Sequence, residues 1–243
     1  MRRAAGPEDF LVLIPCFNEE ASVGGVIEEV WSVLPGAAIL VADDCSRDST
    51  RTVAGNLGAG VLGLPYHLGL GGCVQAGYKL AYELGFHFVI RVDGDGQHAA
   101  ADIPRILETL KTKGCHMVIG SRFSTENGNR TSVPRSLGIW LFRMLLRPIL
   151  GKPVHDPTSG FVGVNREALA VFSRSFPLEY PEIETLVVLK RKHFQFEEIA
   201  CKMRPRRAGK SSITAWKSLY YIVHVLLGVF VNILKFEGGR GRK

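Results

Sequence analysis

Two carboxylates separated by a single glycine stand at the end of a short apolar run and could hold a divalent cation. The run is Phe-Val-Ile-Arg-Val over residues 88–92, and Asp93 and Asp95 follow it. Because Asp and Gly are depleted from strands, we expect the strand to end near Val92 and both acids to lie on the turn beyond it. In open α/β sheets, the carboxyl edge of the strands is where ligands bind. With the amide oxygen of Gln97, the acids form an oxygen-only set that suits Mg²⁺ or Mn²⁺, although a plain surface turn rich in Asp and Gly is the alternative.

Two earlier predicted strands also end in polar residues. Residues 10–14 form the first strand, which Pro15 is expected to end, and residues 38–42 form the second, which runs into Asp43 and Asp44. Alternation of strands and helices at this spacing predicts a parallel sheet, and right-handed crossovers bring the ends of its strands to one side. Three strand ends of ligand type on one edge predict a pocket.

The remaining elements are predicted from periodicity and from start and stop signals. Asn18 is expected to cap the first helix, which runs to about Leu34. Gly71 and Gly72 either cradle a phosphate at a helix start or form a tight turn before a helix over residues 74–84. Further helices are predicted over residues 103–113 and 181–192, and further strands over residues 61–64, 117–119 and 199–203.

Composition restricts the class of protein and of partner. The chain has 243 residues, a formal net charge of +7 and a hydrophobic content of 46%, which suits one large α/β domain or a domain with an appendage. The positive charge, concentrated late in the chain, predicts an anionic partner, but no aromatic-rich basic strand points to nucleic acid. The five cysteines lack C-x-x-C spacing and are predicted to be reduced thiols in a cytosolic protein, and no signal peptide is expected.

Five motifs along the chain resemble those of the family 2 glycosyltransferases, which have the nucleotide-diphospho-sugar transferase (GT-A) fold. They are residues 14–20 (IPCFNEE), 41–50 (VADDCSRDST), 93–98 (DGDGQH), 120–123 (GSRF) and 156–161 (DPTSGF). The resemblance covers about residues 9–212. Within the family the chain looks most like the dolichol/polyprenyl-phosphate mannose synthase branch, which loads sugar onto a polyprenyl phosphate. It implies an α/β fold with a mostly parallel central sheet flanked by helices.

The resemblance also implies roles for the matching residues around the donor. The nucleotide sugar would be bound by Pro15, Phe17, Glu19, Asp44 and Asp93. Phe17 stands where the family more often has Tyr, so a base could stack there but a hydroxyl contact would be lost. Asp93, Asp95 and Gln97 would hold the Mg²⁺ or Mn²⁺ that bridges the donor's two phosphates, and Asp95 is counted as catalytic. Asp43 is expected to be the more structural acid of its pair.

Residues around the acceptor depend on what the acceptor is. Arg122, Arg135 and Arg206 are the predicted set for the donor or acceptor phosphate, and Arg122 is also predicted to be catalytic. The resemblance places Arg206 where the family has an arginine that meets phosphate. Solvated surface charge is the alternative for Arg135 and Arg206. An acceptor phosphate is already an anionic nucleophile and needs no base. A sugar hydroxyl does need one, and Asp156 is then the candidate catalytic base, unless it only caps the backbone two or three residues further on. Glu182 either lines the acceptor pocket or merely favours the N-terminus of its helix.

Two apolar segments predict contact with a membrane. In residues 137–147, Arg143 and Arg147 lie one turn apart on an apolar helix, so a membrane-interface helix is favoured over a core helix. Residues 219–234 would span about 24 Å as a helix, less than the roughly 30 Å hydrocarbon core. The chain is therefore divided into a GT-A domain (1–212), a C-terminal apolar membrane-interface helix (213–236) and a basic tail (237–243). A single short transmembrane helix docked on a small membrane-protein partner is the alternative.

The predicted function is metal-dependent, inverting transfer of a sugar from a GDP- or UDP-sugar to a polyprenyl or dolichyl phosphate at the cytoplasmic membrane face. One alternative is transfer to a hydroxyl of a growing cell-surface polysaccharide or lipid-linked glycan. The other is a non-catalytic subunit that binds a nucleotide sugar for a membrane partner.

Overall fold

The computed structural model describes residues 10–122, 142–144 and 146–204, which build one seven-stranded sheet. The strands are β1 (Phe10–Cys16), β2 (Ala38–Asp43), β3 (Gly60–Gly63), β4 (Phe88–Arg91), β5 (Met117–Ser121), β6 (Val162–Asn165) and β7 (Phe196–Ala200). Their order across the sheet is β3-β2-β1-β4-β6-β5-β7. All are parallel except β6, which runs antiparallel to both of its neighbours. The predicted α/β architecture with a mostly parallel sheet is confirmed.

Helices cover both faces of this sheet. They are α1 (Val23–Val33), α2 (Thr50–Asn56), α3 (Gly69–Glu83), α4 (Ile103–Lys113), α5 (Arg166–Phe172) and α6 (Pro181–Arg191), with a 3₁₀ turn over Ala100–Asp102. Leu11 and Leu13 of β1 pack with residues of α3, α5 and α6. Val12 and Ile14 pack with residues of α1, α2 and α4 on the other face. Burial on both faces explains why β1 is a continuous apolar run.

The carboxyl ends of β1, β2 and β4 lie side by side, as predicted. Cys16 pairs with Asp43 in the register of β1 and β2, and Leu13 pairs with Arg91 in that of β1 and β4. Pro15 does not end the strand as we expected, because β2 continues to pair with β1 through Asp43. The strand ends that carry the acidic motifs therefore share one edge of the sheet.

The first helix begins later than predicted, because Asn18 has a tertiary partner. Asn18 adopts a φ of 54°, and its side-chain oxygen accepts a hydrogen bond (2.8 Å) from the backbone N–H of Arg47. It therefore joins the loops after β1 and β2 and caps no helix, and α1 starts only at Val23.

The glycine-rich segment is part of a helix. Because α3 begins at Gly69, Gly71 and Gly72 lie inside it, and they form neither the tight turn nor the phosphate loop that we considered. Gly71 packs directly on the backbone of Leu178, where an added Cβ would have no room. The glycine here serves close packing between α3 and the segment before α6.

Other elements match the sequence to different degrees. The bounds of α4 are those predicted, and β5 and α6 begin at the predicted residues. β7 lies three residues earlier than expected, and Met203, in the predicted strand, instead forms an isolated antiparallel bridge with His98. β6 was not predicted at all, since its four residues include a glycine and follow a turn motif directly.

The apolar segment before β6 packs into the core where it is described. Residues 142–144 and 146–150 are helical, and Phe142, Leu146 and Leu150 are all buried in one core cluster. Their spacing of four residues places them on one face, which covers the sheet. For these residues the core-helix alternative is right and the membrane-interface prediction is wrong.

Several predictions fall outside the described residues. They concern Arg135, Arg206, the helix over residues 213–236 and the basic tail over residues 237–243. In the part of the chain that the structure describes, no helix is both long enough and apolar enough to cross a membrane.

Candidate active site

The acidic turn after β4 is the centre of the carboxyl edge. Asp95 is only 5% exposed, and its Oδ1 accepts a hydrogen bond from the backbone N–H of Gln97 (3.0 Å). Gly94 lies against the carboxylate of Glu19, and an added Cβ would be 2.6 Å from the sulfur of Cys16. The loop after β1 and the acidic turn are therefore packed together without space for a side chain between them.

Asp93 is oriented by His98, to which we gave no separate role from the sequence. The backbone N–H of Asp93 donates to His98 Nδ1 (3.1 Å), and His98 Nε2 lies 3.6 Å from Asp93 Oδ2. The imidazole is buried and stacks on Phe161, with 4.9 Å between the ring centroids. Burial lowers the pKa of His98 below its ordinary value, so the ring is neutral at pH 7 and can accept at Nδ1. The only sequence signal for this role of His98 is its position directly after the acidic turn.

A second unpredicted contact to Asp93 comes from Arg91, the last residue of β4. The Arg91 guanidinium donates to Glu182 Oε1 (2.7 Å) on α6 and lies 3.5 Å from Asp93 Oδ1. Burial by itself lowers the pKa of Arg91, but the charges of Glu182 and Asp93 outweigh it and hold that pKa above its ordinary value. The only sequence signal was an arginine inside an apolar strand.

Asp44 is buried just after β2 and holds the segment that leads into α3. Its Oδ1 accepts a hydrogen bond from the backbone N–H of Leu68 (2.7 Å), and its Oδ2 lies 2.8 Å from Nδ1 of His67. The His67 ring lies 4.3 Å from the Phe17 ring between centroids, and Phe17 is 44% exposed. An exposed aromatic ring beside a fixed carboxylate can bind the flat face and the hydroxyls of a nucleoside.

The other acid of the pair, Asp43, is fully buried at the end of β2. Its Oδ2 accepts hydrogen bonds from Nε of Arg51 and from the backbone N–H of Ser46 (3.1 Å). Asp43 therefore holds the loop after β2, a geometry that fits the structural role expected of it. In the loop after β1, Glu19 is fixed through its backbone N–H, which donates to Thr50 Oγ1 (2.8 Å).

Arg122 and Asp156 form a buried, two-point ion pair at the end of β5. Asp156 Oδ2 accepts from Arg122 Nε (2.7 Å) and from the Arg122 backbone N–H (3.0 Å), and Oδ1 accepts from the guanidinium as well (2.6 Å). Asp156 has no exposed surface, and its backbone N–H donates to Glu198 of β7 (2.9 Å). Thr158 Oγ1 also contacts both partners. The Asp156 carboxylate thus accepts hydrogen bonds from Arg122. Among the described residues, it does not cap the backbone two or three residues further on, which was the alternative.

The basic segment, residues 204–210 of the sequence, follows β7 and starts beside the acidic turn. The backbone N–H of Arg204 donates to the Gln97 carbonyl (2.9 Å), and the Gln97 side-chain amide donates to the Arg204 carbonyl (3.3 Å). The Arg204 guanidinium is 2.7 Å from Glu29 of α1, whose other oxygen accepts from Ala100. Gln97 is thus a structural link between the turn and the basic segment.

The candidate cation ligands are few and all are oxygens. Among residues 10–122, 142–144 and 146–204, no three His, Cys, Asp or Glu side chains come close enough to hold a metal ion together. Asp93 and Asp95 with the Gln97 amide make a set of two carboxylates and one carbonyl. That set suits Mg²⁺, which proteins usually bind through one or two carboxylates, with water and substrate phosphates completing the coordination.

Comparison with known proteins agrees with the motifs. The family model described as glycosyl transferase family 2 matches residues 11–172. The polyprenol monophosphomannose synthase of Mycolicibacterium smegmatis is 29% identical over 174 residues, 65% of this chain and 62% of that protein. The undecaprenyl-phosphate mannosyltransferase of Micrococcus luteus is 31% identical over 166 residues, 65% of this chain and 67% of that protein. The chain thus matches less than two thirds of the length of the first of these relatives.

Solved structures show the same fold. The glucosyl-3-phosphoglycerate synthase of Mycobacterium tuberculosis, crystallised with Mn²⁺, UDP and glucosyl-3-phosphoglycerate, superimposes with a TM-score of 0.70 at 22% identity. The superposition covers 93% of this chain and 80% of that one. The GT-A fold is thereby confirmed, and the named relatives confirm the resemblance to the polyprenyl-phosphate branch. The chain belongs to glycosyl transferase family 2.

Proposed function

We propose that this glycosyltransferase moves a sugar from a nucleotide-diphospho-sugar to a polyprenyl phosphate, with inversion at the anomeric carbon and with a divalent cation. One observation carries the choice of acceptor. Asp156, the candidate base for a hydroxyl acceptor, is fully buried and binds Arg122 through both of its oxygens. A carboxylate held in this way would have to release Arg122 before it could take a proton. A phosphate acceptor needs no base, and two relatives carry polyprenol or undecaprenyl phosphate in their names.

The acidic turn is proposed to bind the cation. Asp93, Asp95 and Gln97 would hold Mg²⁺ or Mn²⁺, which when bound offsets the negative charge that develops on the leaving nucleoside diphosphate. The turn is suited to this because His98 fixes Asp93 and the Gln97 backbone fixes Asp95. Relatives of the fold that were crystallised with Mn²⁺ or Mg²⁺ and UDP support the assignment.

The loops after β1 and β2 are proposed to bind the nucleoside. Phe17 would lie against the base, while Asp44 and Glu19 would accept hydrogen bonds from the base and the ribose, beside the buried Pro15. The Asp44 carboxylate already accepts from Leu68 and contacts His67. Because an ionised carboxylate has about four lone-pair sites, these bonds fix its orientation and still allow a further donor.

Arginines are proposed to bind the acceptor phosphate and the leaving group. Arg122 is held rigidly by Asp156 at the same edge as the acidic turn, so its charge is preorganised. Arg206 follows Arg204 by two residues in the sequence, and Arg204 is hydrogen-bonded to Gln97 of the acidic turn. Arg135 completes the proposed set.

The proposed reaction has a simple electronic balance. One oxygen of the acceptor phosphate forms a bond to the anomeric carbon from the side opposite to the nucleotide, while the bond from that carbon to the nucleoside diphosphate breaks. The chain supplies binding, orientation and positive charge, and no residue has to remove a proton. We propose that the reaction takes place at the cytoplasmic membrane face, which the chain contacts through residues 213–236 and the basic tail. The alternative anchor is a small membrane-protein partner.

The test is transfer of labelled sugar to a polyprenyl phosphate in detergent, with a panel of GDP- and UDP-sugars and MnCl₂. We expect a lipid product that resists phosphatase and is released by mild acid, and no product after EDTA until Mn²⁺ or Mg²⁺ is restored. Asp95→Ala should abolish transfer, because it removes one of only two carboxylates in the proposed set. A product formed only on hydroxyl acceptors would overturn the acceptor assignment, and an active Asp95→Ala variant would overturn the cation site.

A further inference from the structure

A buried charge pair lies beneath the acidic turn, outside the proposed ligands. The side chain of Arg91 is 3% exposed and that of Glu182 is 13% exposed. A single guanidinium nitrogen of Arg91 donates to Glu182 Oε1 at 2.7 Å and lies 3.5 Å from Asp93 Oδ1. This nitrogen stands between two carboxylates, and the shorter bond is to Glu182.

The position of this guanidinium matters for Asp93. A buried cation attracts a carboxylate far more strongly than a cation in water does, because the surroundings screen the charges poorly. The space next to Arg91 is lined largely by apolar side chains, among them Phe172 and Phe176. Among the described residues, the carboxylates of Glu182 and Asp93 are the charged partners of the Arg91 guanidinium, and they compete for it.

The backbone of Gly160 lies against both Asp93 and Arg91. A Cβ added to Gly160 would be 2.6 Å from Asp93 Oδ2 and 2.8 Å from the guanidinium nitrogen of Arg91. Neither the carboxylate nor the guanidinium can therefore move toward that backbone. The hydrogen bond to Glu182 holds the guanidinium on its other side, away from a closer contact with Asp93.

We propose that Glu182 is a positioning residue that acts through Arg91 on Asp93. By holding the guanidinium, it prevents Arg91 from taking over the Asp93 carboxylate, which then stays available to the divalent cation. The inference rests on the proposed function, in which Asp93 is a cation ligand. It gives Glu182 a role beyond the two that the sequence suggested, lining an acceptor pocket or favouring the start of α6.

The test measures binding of Mn²⁺ to the full-length protein by water-proton relaxation, with the ion alone and with added UDP or GDP. In Glu182→Gln the positive charge of Arg91 is no longer balanced, and we expect Mn²⁺ to bind roughly 10- to 100-fold more weakly, the usual effect of losing a residue that supports a metal ligand. The double variant Arg91→Met/Glu182→Gln removes the competing cation as well, so affinity should recover to within a few-fold of the wild type. Glu179→Gln, an exposed glutamate three residues earlier, is the matched control and should bind as the wild type does.

The outcomes separate this inference from the proposed function. Wild-type affinity in a folded Glu182→Gln, or a double variant as weak as the single one, would overturn the positioning role while leaving the cation site in place. A wild type that binds no Mn²⁺, or an Asp95→Ala variant that binds it normally, would overturn the cation site and this inference with it. Should Glu182→Gln not fold, the double variant Arg91→Met/Glu182→Gln alone tests the proposal, because a folded double variant that binds Mn²⁺ 10-fold or more below the wild type would count against it.

Discussion

Asp93 is in contact with His98, Arg91 and the backbone of Gly160. His98 accepts a hydrogen bond from the Asp93 backbone N–H, Arg91 lies beside one carboxylate oxygen, and Gly160 lies against the carboxylate as well. Side chains fixed in this way need little rearrangement when they bind a cation or a phosphate, which is the condition for strong electrostatic stabilisation. We therefore expect these neighbours to control how well Asp93 binds the proposed cation.

Gly160 provides the most direct test of this arrangement. Gly160→Ala places a methyl group 2.6 Å from Asp93 Oδ2, so the carboxylate must move. A displacement of about 1 Å can lower activity roughly 100-fold, and we expect a loss of that order in transfer. The control is Gly55→Ala in α2, where an added Cβ meets nothing within 4 Å. This control substitution should raise the free energy of unfolding by roughly 0.5–1 kcal/mol and leave transfer unchanged. A folded Gly160→Ala variant with full activity would contradict the role given to the contact between Gly160 and Asp93.

The cysteines allow a second prediction for single residues. All five are free thiols, and four of them (Cys16, Cys73, Cys115 and Cys201) are buried, whereas Cys45 is partly exposed. Burial raises the pKa of Cys73 and of Cys201 to about 12, so neither forms a thiolate at pH 8. We expect iodoacetamide to modify only Cys45 in the native protein and all five after denaturation, as counted by mass spectrometry. Modification of two or more in the native state would show that the core opens more readily than this packing implies.

Among the elements, β5, β7 and the turn before β6 are joined through one buried ion pair. Asp156 binds Arg122 at the end of β5, and Glu198 of β7 accepts hydrogen bonds from the backbone N–H groups of Asp156 and His155. The turn that carries the DPTSGF motif is thus fixed to two strands. These contacts support the proposal that Asp156 positions Arg122 rather than taking part in proton transfer.

Asp156→Asn distinguishes these two roles. The substitution removes the negative charge that pairs with Arg122 in a largely buried position, and we expect the free energy of unfolding to fall by about 3–5 kcal/mol. The measurement is urea denaturation followed by circular dichroism. Glu108→Gln, an exposed acid on α4, is the control and should change stability by no more than about 0.5 kcal/mol. A variant with wild-type stability but no transfer activity would instead support a catalytic base.

The elements that the sequence predicted well are those whose signals are local. The apolar runs predicted β1 and β2, the predicted bounds of α4 match the structure, and the motif acids lie at the strand ends as expected. The errors arose where a distant segment decides the local structure: Asn18 bonds to Arg47 rather than capping α1. Leu146 packs in the core rather than facing a membrane. No local signal shows that Arg91 pairs with Glu182, which is 91 residues away along the chain.

At the scale of the whole molecule, the sheet order brings acidic and basic groups to one edge. The acidic turn follows β4, the central strand of the sheet, and the basic segment follows β7, which is an edge strand. The two meet because Arg204 pairs through its backbone with Gln97, and Met203 forms a bridge with His98. The donor site proposed for this edge is therefore adjacent to the start of the segment that leads to the predicted membrane helix.

The predicted membrane contact follows the sheet in the chain, which leads to a prediction about truncation. Residues 10–204 contain the whole seven-stranded sheet and both core clusters, so a chain ending before Leu219 should fold and keep Mn²⁺-dependent hydrolysis of the nucleotide sugar. It should lose binding to vesicles that contain anionic lipid, because the largely apolar segment of 16 residues from 219 to 234 and the basic tail are the predicted contact. Co-sedimentation measures the binding, and a chain that lacks only residues 238–243 is the matched control. That control keeps the apolar segment and should bind more weakly than the full chain but above the background of the shorter truncation. Equal vesicle binding by all three chains would assign the membrane contact to the GT-A domain itself.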